Sequence, residues 1–159
     1  MRGSVKSDAT VARVDHGQPC GFRSERPDII RHETPDGEAG LEIIRTFAPH
    51  IVLVDWEMPG LDGPGFVRAV RSPETFPYPD VPIIMLTAHG ERSRVLEAAR
   101  LGINEYLLKP VSSQALQARM LSVITHPRKM VRKGDYYGPE PRKLKPESDQ
   151  SYSQIALVD

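Results

Sequence analysis

Three polar side chains close three apolar runs in this sequence. Asp55 ends Ile51-Val52-Leu53-Val54, Thr87 ends Val81-Pro82-Ile83-Ile84-Met85-Leu86, and Lys109 ends Glu105-Tyr106-Leu107-Leu108, just ahead of Pro110. A short β-branched run bounded by turn residues reads as a strand buried on both faces, as inside a parallel sheet. Open parallel α/β sheets bind ligands in the crevice beyond the carboxyl ends of their strands. Three such ends would bring a carboxylate, a hydroxyl and an ammonium to one small site. Phosphoryl transfer to a carboxylate uses those types: an accessible nucleophile, a cation, and a donor to the transferred oxygens. A strand-end Asp alone reads as a loop cap; the other two residues shift the balance.

The elements that must position these groups follow from the punctuation. Asp36 is an N-cap candidate for a helix over 37–47, with Leu41, Ile44 and Phe47 at helical spacing and Ile43 beside them. Met58-Pro59-Gly60 ends the central strand 51–55, and Pro64 suits the first turn of a helix that turns Phe66, Val67 and Val70 inward. A proline-rich loop over 72–82 precedes the next strand. Helix 91–101 carries Val95, Leu96, Ala99 and Leu101, with Gly102 as its C′ residue, and strand 104–108 follows. A last helix over 112–125 is expected to turn Leu116, Met120, Leu121 and Ile124 to one face. Strands alternating with helices make a right-handed parallel α/β sheet the economical topology.

The segments VDWEMPGLDG, MLTAHG and EYLLKP, in that order, closely resemble the receiver domain of two-component response regulators, over about residues 29–125. The resemblance implies a flavodoxin-like (CheY-like) fold, a doubly wound parallel five-stranded sheet, with a stand-alone receiver domain over 28–126. It implies that Asp55 accepts a phosphoryl group from a histidine kinase or phosphotransfer protein, assisted by Lys109 and Thr87. Thr87 and Tyr106 would form the switch, Tyr106 being the aromatic that turns inward on activation; it also reads as a half-buried edge-strand aromatic. Mg²⁺ would be held by Asp15, Asp55 and the main-chain carbonyl of Glu57.

The N-terminal segment departs from that pattern. Residues 10–15 read as a first strand, which receivers end in two acidic residues; here Asp15 is followed by His16, and imidazole is not the oxygen ligand Mg²⁺ prefers. Gly17, Pro19, Gly21 and Pro27 break the segment where the first helix belongs. Residues 1–27 are therefore set apart as an atypical segment, and metal binding is expected to be weakened. Beyond His126-Pro127 periodicity stops, and 127–159 is expected to be a flexible, basic, proline-rich tail, too short for a DNA-binding domain.

Composition narrows the partners. The 159 residues carry 21 basic and 21 acidic side chains, and the formal net charge of zero does not call for nucleic acid or an anionic membrane. The lone Cys20 excludes an internal disulfide, and the five histidines lack metal-ligand spacing. Neither an 18-residue apolar run nor a secretory h-region is present, so the expected location is cytoplasmic. The expected role is a signalling module, not an enzyme, acting on a downstream protein, with a homodimer as an open alternative should residues 1–27 leave the core uncovered. A degenerate receiver that binds partners without phosphorylation is the second reading, on the incomplete acidic pair. A haloacid dehalogenase-like phosphatase is the third, weakened because Asp55-Trp56-Glu57 lacks that family's second Asp. His89, next to Thr87-Ala88, is a candidate influence on dephosphorylation.

Overall fold

The computed structural model describes residues 9–15, 28–88 and 90–142. In chain order its elements are β1 (Ala9–Asp15), β2 (Asp28–Thr34), α1 (Gly37–Phe47), β3 (Ile51–Asp55), α2 (Gly63–Val70), β4 (Ile83–Thr87), α3 (Arg92–Leu101), β5 (Glu105–Leu108), α4 (Ser113–Thr125), β6 (Met130–Lys133) and β7 (Tyr136–Pro139).

The main sheet has the order β2-β1-β3-β4-β5, the flavodoxin-like order. Strands β3, β4 and β5 pair in parallel, so their carboxyl ends share one edge of the sheet. The expectation of an all-parallel sheet needs correction at β1, which runs antiparallel to both β2 and β3. An antiparallel neighbour needs no crossover helix, whereas a parallel one does. The glycines and prolines between Asp15 and Asp28 make that stretch poor material for such a helix.

Alternate residues of the buried strands feed two cores. One face packs Val52, Val54, Ile83, Met85 and Tyr106 against α1, α2 and α3, through side chains such as Ile44, Phe66 and Ala98. The other packs Ile51, Leu53, Ile84 and Leu107 against Val123 of α4, with Leu116 and Met120 alongside. Two expected core positions on α4 are therefore corrected: Leu121 is 61% exposed and Ile124 45%. Val123 has taken the inner position, which rotates the face. On α3 the buried alanine is likewise Ala98, with Ala99 exposed. Helix starts follow their caps: Asp36 Oδ1 accepts from Ala39 N at 2.8 Å, and Ser112 Oγ from Ala115 N at 3.1 Å.

The expected tail is corrected as well. Residues 130–139 form a β-hairpin, Lys133 pairing Tyr136 across Gly134-Asp135, and Gly134 has the positive φ (+59°) that tight hairpin turns require. Arg128 donates to the Asn104 carbonyl at 2.6 Å, and Arg142 forms an ion pair with Glu105, so both ends of the hairpin are fastened to the start of β5.

Candidate functional site

Asp55 is lodged where β3 stops. Its strand is buried throughout, and the chain leaves it through a turn that folds back on itself: Trp56 N donates to the Leu86 carbonyl, and Gly63 N to the Trp56 carbonyl, both at 2.9 Å. Only glycine fits position 63, since a Cβ there would stand 2.4 Å from the Asp55 carbonyl oxygen. Asp62 then caps α2, its Oδ1 accepting from Gly65 N at 2.8 Å, with Pro64 in the first turn.

Lys109 reaches across β4 to place Nζ 2.7 Å from Asp55 Oδ1. The lysine is held at its root by its N–H, which donates to the Thr87 carbonyl at 2.8 Å. Thr87 is buried at the end of β4, one residue past Leu86, the register partner of Asp55. The structure thus brings together Asp55, Thr87 and Lys109. Tyr106 is buried rather than half-buried, and its hydroxyl is hydrogen-bonded to that of Thr87. Burial pushes the Tyr106 hydroxyl above the usual tyrosine range, so it stays protonated at neutral pH.

Two neighbours of the site were not singled out from sequence. Arg94, in the first turn of α3, holds its guanidinium over the ring of Trp56 at 5.2 Å from the centroid. Gly63 guards the backbone of Asp55. The Gly-Pro-Gly turn was visible in the sequence, but its close approach to Asp55 is a tertiary fact. Arg94 stands among other charged residues of α3 with nothing local to distinguish it.

The expected metal ligands are not assembled. Along β1 the register pairs Ala9 with Val54 and Ala12 with Ile51, so Asp15 lies beyond the amino end of β3. Seven strand positions then separate it from the level of Asp55, about 23 Å at the usual rise. Glu57 follows Asp55 closely and its side chain faces solvent. Among the described residues no group of three His, Cys, Asp or Glu could hold a metal ion. One carboxylate and one main-chain carbonyl do not make up the expected Mg²⁺ site. His16 and His89 lie outside the described residues.

A carboxylate, a threonine and a lysine at the carboxyl ends of three successive strands of a flavodoxin-like sheet define a class. The chain belongs to the response regulator receiver domain family, which matches residues 22–121. It is 34% identical to the chemotaxis protein CheY of Pseudomonas aeruginosa over 88 residues, covering 55% of this chain and 69% of that one. It is 40% identical over 89 residues to a chemotaxis protein CheY of Rhizobium etli, covering 55% and 67%. Among solved structures it resembles a response regulator of Chloroflexus aurantiacus, with a TM-score of 0.54 and 32% identity over 58% of this chain and 75% of that one. Among the described residues no helix is long and apolar enough to cross a membrane.

Proposed function

We propose that this receiver accepts a phosphoryl group on Asp55 from a histidine kinase or phosphotransfer protein and thereby switches its binding to a downstream protein. The observation that carries the reading is the Lys109 ammonium 2.7 Å from Asp55 Oδ1, with Thr87 on the neighbouring strand one residue past the register partner of Asp55. In the transfer, an Asp55 oxygen attacks phosphorus, the P–N bond to the kinase histidine breaks, and the leaving imidazole takes up a proton. Lys109 offsets charge on the carboxylate and then on the transferred group. The Thr87 hydroxyl donates to a phosphoryl oxygen, a bond that exists only after transfer. That conditional bond biases a two-state equilibrium that Tyr106 reads. The chain acts as a switch rather than a turnover enzyme, in the cytoplasm.

A second reading, a receiver that binds partners without phosphorylation, is favoured by one observation: the β1 register that carries Asp15 away from Asp55. Intact mass after acetyl phosphate, with and without Mg²⁺ and beside Asp55→Asn, separates the two. A gain of one phosphoryl group, absent in the variant, supports the acceptor. No gain in a folded chain supports the second reading.

A further inference from the structure

Residues 127–142 lie beyond the family match, yet the hairpin they form grips the root of β5 and the end of α3. Arg128 donates to the carbonyls of Asn104 and Glu140, closing the hairpin's base onto the main sheet. Arg142 is ion-paired with Glu105, whose side chain is 3% exposed and whose Oε2 has no hydrogen-bond partner among the described residues. A buried carboxylate is costly to hold as an ion unless it is paired, so releasing the hairpin would leave Glu105 without a charge partner. The Tyr137 hydroxyl donates to Asp80, and Gly138 backs directly onto Gly102, where a Cβ would stand 2.7 Å from the Tyr137 carbonyl.

Two stiff routes lead from these contacts to the Asp55 site. Along β5, Glu105 is followed by Tyr106. Successive strand residues face opposite sides, so one strand meets the hairpin on one face and Thr87 on the other. Along α3, Gly102 caps the helix whose first turn carries Arg94 over Trp56. Ten helical residues span about 15 Å, short enough to move as a rod. A threonine hydroxyl has one proton. Once Thr87 donates it to a phosphoryl oxygen, Thr87 can only accept from Tyr106, which fixes the pair in one sense and holds Tyr106 inward.

We propose that the C-terminal hairpin is a clamp coupled to the phosphoryl site: a phosphoryl group on Asp55 tightens its grip on β5, and loosening it weakens the Thr87–Tyr106 pair. The phosphoryl-driven half of the coupling rests on Asp55 being the acceptor, the link between the hairpin and the Thr87–Tyr106 pair does not, and as a linkage between equilibria it is reciprocal. The test is hydrogen exchange on the full chain, with intact mass recorded on the same samples after acetyl phosphate and Mg²⁺. Amides of residues 130–139 are expected to exchange about fivefold more slowly, or better, in the phosphorylated protein. A mass gain with unchanged hairpin exchange overturns the clamp and leaves Asp55 as the acceptor.

No mass gain removes the acceptor reading instead, and two variants then decide the coupling. Thr87→Val removes the hydroxyl at little cost in volume and should speed exchange in the hairpin. Arg128→Ala should speed exchange at residues 105–108; if it does not fold, Tyr137→Phe, which deletes only the hydroxyl on Asp80, replaces it. Changes confined to each variant's own element overturn the clamp.

Discussion

Lys109 Nζ lies 2.7 Å from Asp55 Oδ1, joining two strand ends that flank a third. The carboxylate is 10% exposed and the lysine side chain 46%, so the cation is the solvent-facing member of the pair. Removing a preorganised charge from a group-transfer site typically costs on the order of 10² in rate. A half-exposed ion pair contributes only about 0–1 kcal/mol to stability. Lys109→Ala should therefore slow acyl-phosphate formation by about that factor, measured by timed intact mass, with little change in the urea midpoint. A rate loss no larger than the stability loss would remove Lys109 from the chemistry.

Gly63 is expected to be the most sensitive glycine of the site. A methyl there meets the Asp55 carbonyl at 2.4 Å and the Trp56 Cα at 2.9 Å, both backbone atoms that cannot swing aside. Gly63→Ala should cost about 1–3 kcal/mol, as overpacking does, shift Trp56 fluorescence and abolish acceptance at Asp55. Gly60→Asn is the control. Its φ of +72° suits asparagine better than other side chains and nothing stands within 4 Å of a Cβ, so acceptance should persist.

What could be read from sequence was what local chemistry decides. The 37–47 helix with its Asp36 cap, the 51–55 strand and the Asp55–Thr87–Lys109 set all rest on periodicity, caps and strand ends, and each is found in place. The direction of β1 was not legible, because pairing sense is settled between strands and not within one. The hairpin was legible and was missed: Gly134-Asp135 between Met-Val-Arg-Lys and Tyr-Tyr-Gly-Pro is a two-residue turn signal. Scattered prolines and basic residues hid it. The inward face of α4 failed for a narrower reason, since Val123, Leu121 and Ile124 are all apolar and packing alone chose among them.

Tyr106 should make stability fall in alkali. Burial, the largest cause, raises its hydroxyl above the value expected in the unfolded chain. The folded state therefore holds a proton that the unfolded state gives up first. That contribution is complete below the unfolded value of about 10 and is lost as pH rises through the folded one. Urea midpoints at pH 8, 9.5 and 10.5 should fall, and less steeply in Tyr106→Phe. Tyr136 and Tyr137 shift the same way, so the slope should flatten without vanishing. Parallel curves for the two proteins would mean that Tyr106 is not held inward in solution.

Asp15 is expected to be silent toward Mg²⁺. Its place seven positions from the level of Asp55 keeps it out of any shared coordination shell. A Mg²⁺ titration followed by Trp56 fluorescence should be the same in Asp15→Asn as in the parent, whereas Asp55→Asn should change it. A marked loss of affinity in Asp15→Asn would require β1 to pair in another register in solution.

Arg71 should matter more to stability than any surface ion pair. It is buried at the C-cap of α2, with Nε on the Gly102 carbonyl at 2.8 Å, one terminal nitrogen on the carbonyls of Pro79 and Val81, and the other on Asn104 Oδ1. Asn104 Oδ1 also accepts from Ile83 N, so one guanidinium fastens the ends of α2 and α3 and the starts of β4 and β5. Burial lowers its pKa to about 10, which still leaves it protonated at neutral pH in both folded and unfolded states. Truncation would leave buried carbonyls without donors, each costing about 1 kcal/mol or more, so Arg71→Ala should lose at least about 3 kcal/mol in urea unfolding at pH 7. Lysine offers a compact point charge in place of a planar fork, and Arg71→Lys should recover less than half of that loss. Full recovery by lysine would show that the charge, and not the set of directed bonds, is what these four elements need.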